Sequence, residues 1–275
     1  MERRAGTTLG GEQLRALRKR AGATQFWVEL EAEIGSGYLQ RIESGRVALP
    51  ERSTIEQILN ALAARYLERR EILEAYGYTV TTPLPDVADR AWATAVCQDE
   101  LHEVLFPAYV LDCTHQLIAW NSFFPRLLGL APDDPTVGGL AGHSLPEAWF
   151  DPNSSLGRLV AEPDAFLPTV IHALRYEMER FHSEAWTASV LARLEQLPRF
   201  RHYWAATRQD PAPASVARAV VPLRLNVPGV GMLQFRLSSD PFVRDARFRL
   251  IYYLAADPAT MRQCAAWAVP TPNRL

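Results

Sequence analysis

A short segment at residues 79–85 divides the chain into two parts of different character. Its sequence, Thr-Val-Thr-Thr-Pro-Leu-Pro, is β-branched and contains two prolines, so the helical pattern before it cannot continue through it. The length of 275 residues also exceeds the usual size of one compact core. We therefore predict two domains, residues 1–78 and 86–275, joined by a linker at residues 79–85.

The composition, with 48% hydrophobic and 22% charged residues, is that of an ordinary soluble globular protein. No run of 18 apolar residues occurs and the first residues lack the apolar stretch of a secretory signal, so we expect a cytoplasmic protein without membrane contact. The net charge of −2 argues against general coating of nucleic acid, so any DNA contact must come from locally placed arginines. The three cysteines are scattered without metal-ligand spacing, which favours reduced structural thiols.

The first domain has the pattern of five short helices separated by turn signals. Thr24 is placed to cap the second helix, and Gly45 to end a third helix that begins near Ser36. Ser53, followed by Glu56 three residues later, predicts that the fourth helix opens with a capping box. This domain is therefore predicted to be all α.

The third predicted helix has one apolar and one polar side. If Leu39 and Ile42 face the core, the 3.6-residue period turns an arginine and a glutamine to the opposite side, where they can pair with base edges. Gln25 starts the preceding helix, where free N–H groups suit a phosphate contact, and Arg15 and Arg46 would add phosphate contacts without sequence preference. The expected DNA-binding residues are Arg15, Gln25, Ser36, Gly37, Gln40, Arg41 and Arg46.

Some of these residues also have a structural interpretation. Ser36 and Gln40 are compatible with a surface that is only solvated. Glu43 is more typical of an ion-pair partner for a nearby arginine than of a base contact. If Arg41 is that arginine, little remains for direct recognition of bases.

The sequence Tyr-Leu-Gln-Arg-Ile-Glu-Ser-Gly-Arg at residues 38–46 resembles the helix-turn-helix core of the lambda-repressor-like Xre family, and the resemblance spans about residues 9–76. It implies binding to double-stranded DNA. One short recognition helix contacts too few base pairs for specificity, so we expect a homodimer on a palindromic operator. Glu29 and Glu33 stand where the family usually has an alanine and a turn glycine, so the turn is expected to be unusually long or splayed.

The second domain alternates between strands and helices. Residues 109–112 and 116–120 predict a β-hairpin, and Asn121 is placed to cap the helix after it. A loop at residues 131–153, two longer helices and three strands follow, and Pro222 places the first of these strands at a sheet edge or bulge. An α+β domain with an antiparallel sheet is therefore predicted.

Two motifs in this domain resemble the start of the sensor domain of MmyB-like transcription regulators: Phe-Pro-Ala-Tyr-Val-Leu-Asp at residues 106–112 and Leu-Ile-Ala-Trp-Asn at residues 117–121. Pro-Arg-Phe-Arg at residues 198–201, with Trp204, resembles a later helical motif of the same family. The resemblance covers about residues 86–265. It implies a PAS-like fold with about five strands, attached to a helix-turn-helix and holding a small molecule beneath its helices.

Aromatic and aliphatic side chains would surround such a small molecule. Because few charges lie among them, we expect an apolar guest, a fatty acid or similar lipid-like metabolite. The same side chains are also typical of a filled core, in which case no pocket exists. The expected lining residues are Trp120, Phe123, Phe124, Phe166, Ile171, Leu174, Phe181, Trp186, Phe200, Tyr203 and Trp204. The expected headgroup partners are Arg175, Arg180, His182 or Arg201.

Catalytic and metal-binding motifs do not occur in the sequence, and the six histidines are dispersed, so we expect neither an enzyme nor a bound metal or cofactor. The expected function is a DNA-binding transcription regulator whose second domain binds an apolar small molecule that modulates DNA binding, with residues 86–105 coupling the two events. The alternative is a constitutive repressor whose second domain serves only dimerisation. A third possibility, an enzyme fused to a regulator domain, is disfavoured by the scattered histidines.

Overall fold

The computed structural model describes residues 7–80, 82–181, 184–208 and 221–269. The chain divides between Thr82 and Pro83 into two compact units. Residues before this division pack on the first unit: the Tyr78 hydroxyl donates to Pro50 O at 2.5 Å, and the Tyr66 hydroxyl lies 3.0 Å from Thr82 Oγ1. Over the described residues, none of the helices has the length and apolar character needed to cross a bilayer.

The first unit consists of five helices, as predicted. They are α1 (Leu9–Arg20), α2 (Gln25–Glu31), α3 (Tyr38–Glu43), α4 (Arg52–Ala61) and α5 (Tyr66–Ala75). Thr24 caps α2 as expected, because its side chain accepts from Trp27 N at 3.1 Å. The predicted capping box at Ser53 was wrong: the N-cap of α4 is Glu51, two residues earlier, and Glu56 accepts instead from Arg52 Nε at 2.8 Å.

The core of the first unit is a single cluster of aliphatic side chains contributed by all five helices. Each such side chain contributes about 1.5–3 kcal/mol when it is fully removed from water. The side chains that are completely buried are Leu14, Val28, Ile42, Ile55, Ile58 and Leu59. The helices can approach this closely because α1 begins with small residues: a Cβ added at Gly11 would lie 2.5 Å from Ile42 O.

The second unit is an α+β domain built on a five-stranded antiparallel sheet, which confirms the predicted fold class. Its strands are β1 (Ala108–Asp112), β2 (Leu117–Trp120), β3 (Val221–Val227), β4 (Gly231–Pro241) and β5 (Phe248–Ala255), in the order β2-β1-β5-β4-β3. Tyr109 pairs with both Trp120 and Ile251, so β1 lies inside the sheet. The strand β3, which contains Pro222, lies at an edge as expected.

Seven helices accompany the sheet in the described part of the second unit. They are α6 (Val87–Glu103), α7 (Phe124–Leu127), α8 (Leu145–Phe150), α9 (Pro163–Phe181), α10 (Glu184–Leu194), α11 (Pro198–Ala206) and α12 (Pro258–Ala268). The predicted loop at residues 131–153 was wrong in part, because it contains α8 and a 3-10 turn at Val137–Leu140. Apolar residues in α8, Trp149 and Phe150 among them, join the core, which gives the segment a buried side.

The two faces of the sheet bury different helices because side chains alternate along each strand. Tyr109 and Leu111 of β1 face the large apolar core that includes α8, α9, α10 and α11. Ala108 and Val110 of the same strand face a smaller cluster with Cys97 and other residues of α6. We call these the α9 face and the α6 face.

Asn121 has a different role from the one predicted for it. The helix α7 starts at Phe124 and is not capped by a side chain. The Asn121 side chain accepts from Phe123 N at 3.2 Å in the turn before α7, and it also accepts from Ala108 N at 3.1 Å and donates to Phe106 O at 2.7 Å. It therefore fastens the end of β2 to the start of β1, which a local helix-start pattern cannot reveal.

We predict that Gly11→Ala destabilises the first unit by about 1–3 kcal/mol, because the new methyl group would push α1 away from the backbone of α3. Hydrogen exchange of the α1 and α4 amides would measure the loss. Gly35→Ala is the matched control, since an added Cβ there meets nothing within 4 Å. Equal effects of the two changes would contradict the proposed close contact.

Candidate nucleic-acid interface and domain interior

The turn between α2 and α3 is held by Glu29, a residue that departs from the expected alanine. Its buried carboxylate accepts from Gly37 N and Leu39 N, both at 3.0 Å, and so satisfies free N–H groups at the start of α3. Glu33, where we expected a glycine, adopts a left-handed backbone (φ 53), a conformation that favours glycine. The turn occupies residues 32–37. We expected Glu29 to splay this turn, but its carboxylate stabilises it.

The recognition helix is shorter than predicted. Gly37 has φ 75, a left-handed conformation that a right-handed helix cannot include, so α3 begins at Tyr38 and not near Ser36. Ser36 and Gly37 therefore lie in the turn before α3, and both are exposed. Leu39 and Ile42 are buried as expected, which leaves the opposite side of the helix facing outward.

Glu43, at the end of α3, is fully buried and joins three helices. Arg18 of α1 donates to its carboxylate from Nε at 2.6 Å and from Nη2 at 2.9 Å. Gln25 of α2 donates at 2.8 Å, and Arg15 donates from Nε at 3.4 Å. Burial alone would raise the pKa of Glu43, but the hydrogen bonds from Arg18 and Gln25 outweigh it and lower the pKa below its ordinary 4.5.

This cluster settles which arginines pair with Glu43. They are Arg15 and Arg18, so Arg41 is not the ion-pair partner that the alternative interpretation required. Arg41 is exposed, and its guanidinium lies 5.1 Å from the centre of the Tyr38 ring. The Arg41 side chain is thus positioned on the outward side of α3.

The predicted DNA-binding residues fall into two groups. Ser36, Gly37, Gln40, Arg41 and Arg46 are exposed. Arg15 and Gln25 are partly buried and bound to Glu43, so a phosphate contact by either residue would have to use N–H groups that Glu43 does not engage. Their direct contact with DNA stays a prediction.

Most of the predicted lining residues of the second unit meet in one place, the core on the α9 face. Phe124, Phe166, Ile171, Leu174, Phe200 and Tyr203 are buried there, and Trp120, Trp186 and Trp204 pack against them in part. The rings contact one another directly. For example, the Phe150 and Phe200 centroids lie 5.2 Å apart, and those of Trp149 and Phe166 5.1 Å apart.

Two predicted lining residues are not part of this cluster as described. Phe123 is buried but lies outside the residues that form it. The side chain of Phe181 lies outside the described residues, as does His182. Trp120 also lines a surface groove of about 380 Å³ between α6 and β2, away from the α9 face.

The structure describes three of the expected headgroup partners, Arg175, Arg180 and Arg201. Arg175 donates to Thr207 O and, at 2.7 Å, to Trp204 O, and its guanidinium lies 4.3 Å from the Trp204 ring centre. It therefore joins α9 to the end of α11. Arg180 and Arg201 are exposed.

The structure places a different set of polar groups inside the core. Arg249 of β5 and Glu177 of α9 form an ion pair at 2.7 Å, with side-chain exposures of 14% and 4%. His115, in the turn between β1 and β2, is buried with its Nε2 at 3.4 Å from Arg249 Nη2. Sequence reasoning missed these residues, although the single arginine in the apolar run of β5 and the two acids that flank Met178, Glu177 and Glu179, were available signals.

Burial sets the chemistry of the other titratable groups in this unit. It raises the pKa of the thiols of Cys97 and Cys264 to about 11 and that of Cys113 to about 12. All three thiols are therefore protonated near neutral pH, and a protonated thiol is a poor nucleophile. Among the residues that can be described, no group of three or more potential metal ligands lies together.

Comparison with known proteins identifies both units. The model of the MmyB-like transcription regulator ligand binding domain matches residues 98–266, and a helix-turn-helix domain model matches residues 11–72. A comparison with curated proteins finds no match. A solved structure described as an RNA-binding Light-Oxygen-Voltage receptor aligns at 12% identity and a TM-score of 0.24. That alignment covers 93% of this chain but only 63% of the other, and a likeness this weak supports no conclusion.

We predict that Glu43→Ala destabilises the first unit by about 3–5 kcal/mol, because it leaves the buried Arg18 guanidinium unpaired. Hydrogen exchange of α1 and α3 amides would measure this loss. Because the folded-state pKa of Glu43 is lowered, its contribution should be complete above about 4.5 and should disappear as the pH falls through the folded-state value.

The matched control is Glu56→Ala, which breaks the exposed pair with Arg52 and should cost less than about 1 kcal/mol. A loss from Glu43→Ala no larger than this would refute the structural role of the buried carboxylate.

Proposed function

The chain belongs to the MmyB-like transcription regulators, with a helix-turn-helix domain followed by a ligand-binding domain, and on this premise we propose how it works. We propose that a homodimer binds a palindromic operator through the outward side of α3. The second domain binds an apolar small molecule, a fatty acid or similar lipid-like metabolite. The bound molecule changes the affinity of the dimer for its operator, with α6 as the coupling element.

The exposed side of α3 supports the DNA-binding part of this proposal. Gln40 and Arg41 project from a helix whose other side is fixed by Leu39, Ile42 and the Glu43 cluster. A helix held this firmly can enter a major groove without losing much side-chain or backbone freedom. This one observation, an arginine on the outer side of a rigid helix, is the main support for sequence recognition.

The apolar interior supports the ligand class. The core on the α9 face consists of aromatic and aliphatic side chains, and the Arg249–Glu177 ion pair lies beside them. A small molecule that enters between the helices and the sheet would therefore meet mostly apolar surface.

One observation favours the alternative function. Two rings expected to line a pocket, Phe200 and Trp204, stack on each other with centroids 5.2 Å apart, and Phe200 also contacts Phe150, so these side chains pack together as a core. A filled core suits a constitutive repressor whose second domain only dimerises, and a ligand would have to separate α9 or its neighbours from the sheet before binding.

For DNA binding, we predict that Arg41→Ala relaxes the preference at one base position and costs about 1–3 kcal/mol on the preferred operator. Arg46→Ala is the matched control, because it removes an expected phosphate contact. It should weaken binding to all sequences alike and lower the number of ions released on binding, read from the salt dependence of the affinity, by about one. Binding to a randomised duplex pool measures both. If the two variants weaken all sequences equally, α3 is not the base-contacting element.

For ligand binding, we predict that native mass spectrometry of the freshly purified full chain shows a dimer with a bound molecule that organic solvent extracts. Extraction should change the affinity for the operator, because a ligand shifts an equilibrium only through different affinities for the two states. The constitutive repressor would be favoured if the measured mass equals that of two chains without a ligand and the operator affinity is the same before and after extraction.

A further inference from the structure

The Arg249–Glu177 ion pair lies in the interior, where charged groups are costly. The two side chains come from opposite layers, Arg249 from the sheet and Glu177 from α9, and both are almost completely removed from water. A buried pair of this kind is stable only when its remaining hydrogen-bonding capacity is also used. The partners of each atom therefore show what the site still requires.

The arginine side of the pair has a further partner. The Nη2 group of Arg249 faces Nε2 of His115 at 3.4 Å. Burial, and after it the positive charge of Arg249, lowers the pKa of His115 well below its ordinary 6.5, so the ring is neutral near neutral pH. A neutral ring can turn a lone pair toward the guanidinium, which makes the contact favourable.

The carboxylate side is incomplete. Arg249 Nη1 donates a hydrogen bond to Glu177 Oε1, whereas Glu177 Oε2 is buried and has no hydrogen-bond partner among the residues that the structure describes. A carboxylate only accepts hydrogen bonds, so Oε2 requires a donor. Unpaired buried acceptors of this kind are rare in folded proteins and commonly indicate an absent water or ligand.

We propose that Glu177 Oε2 accepts a hydrogen bond from the hydroxyl group of a neutral, apolar ligand. This inference rests on the proposed function and narrows it: among the lipid-like metabolites proposed for the same interior, it selects a long-chain alcohol over a fatty acid. A ligand carboxylate has no hydrogen to donate to Oε2, and a ligand ammonium group would compete with Arg249 for Glu177 and add a net positive charge to the interior. A hydroxyl supplies the donor and adds no charge. The chain attached to it would lie along Leu174 and Met178, which belong to the apolar core.

The test uses the full chain after solvent extraction and three probes of equal chain length: 1-dodecanol, dodecanoic acid and dodecylamine. Titration at pH 7, below the concentration at which the probes aggregate, gives their dissociation constants. In the wild-type protein, the alcohol should bind about ten-fold more tightly than the acid and the amine, a factor typical of one hydrogen bond to a charged group. This comparison needs no variant, so it does not depend on whether a substitution folds.

Glu177→Gln provides the second measurement. It removes the negative charge and leaves Arg249 to attract an anion, so the affinity for the acid relative to the alcohol should rise about ten-fold or more. Glu179→Gln is the matched control on the same helix, because Glu179 is exposed, and it should leave the ratio unchanged.

The outcomes separate this inference from the proposed function. Wild-type protein that prefers the acid, or a preference that Glu177→Gln does not alter, would overturn the hydroxyl assignment while leaving apolar ligand binding intact. If none of the three probes binds, the apolar ligand itself is refuted, and the donor for Oε2 is then a buried water.

Discussion

The buried carboxylate of Glu43 is the interaction on which the DNA-binding unit depends. It is fully removed from water, so each of its lone pairs must be met, and the donors come from α1 and α2. One side chain thereby fixes the end of α3 relative to two other helices. Glu29 does the same at the beginning of α3. Because buried carboxylates hold both ends of α3, its exposed side presents Gln40 and Arg41 to solvent.

In the second unit, ion pairs also join elements that are distant in sequence. Arg90 of α6 donates at 2.9 Å to the buried Asp112, whose other oxygen orders the β1–β2 turn through Thr114. The almost fully buried Arg247 pairs with Asp89 of α6 at 2.9 Å and with Asp245 at 2.8 Å. The first helix of this unit is therefore attached at its beginning to one end of the sheet, where the last residue of β1, Asp112, pairs with the first residue of β5, Phe248. This attachment gives α6 a physical means to respond to changes in the sheet.

The Arg249–Glu177 pair lies at the other side of the same turn, on the α9 face. His115 follows Asp112 and Thr114 in the β1–β2 turn, so the contacts of α6 and those of the interior ion pair meet in one short segment. The packing of aromatic rings elsewhere in the core makes this polar end chemically distinct from the rest. Packed cores change between discrete arrangements and resist continuous deformation. A ligand that separates α9 from the sheet would therefore act at the place where both layers are fastened.

The sequence by itself determined the two-domain organisation, the five helices of the first unit, the strand alternation of the second and the outward placement of Arg41, because these follow from local periodicity and turn chemistry. Only the tertiary structure decided which side chains meet across the chain. It showed that Arg15 and Gln25 bind Glu43 and that the Asn121 side chain joins β2 to β1. It also showed that Glu177 pairs with Arg249, 72 residues away. Such pairings depend on the three-dimensional approach of helices and strands, and burial then makes each polar group require a partner that no local pattern specifies.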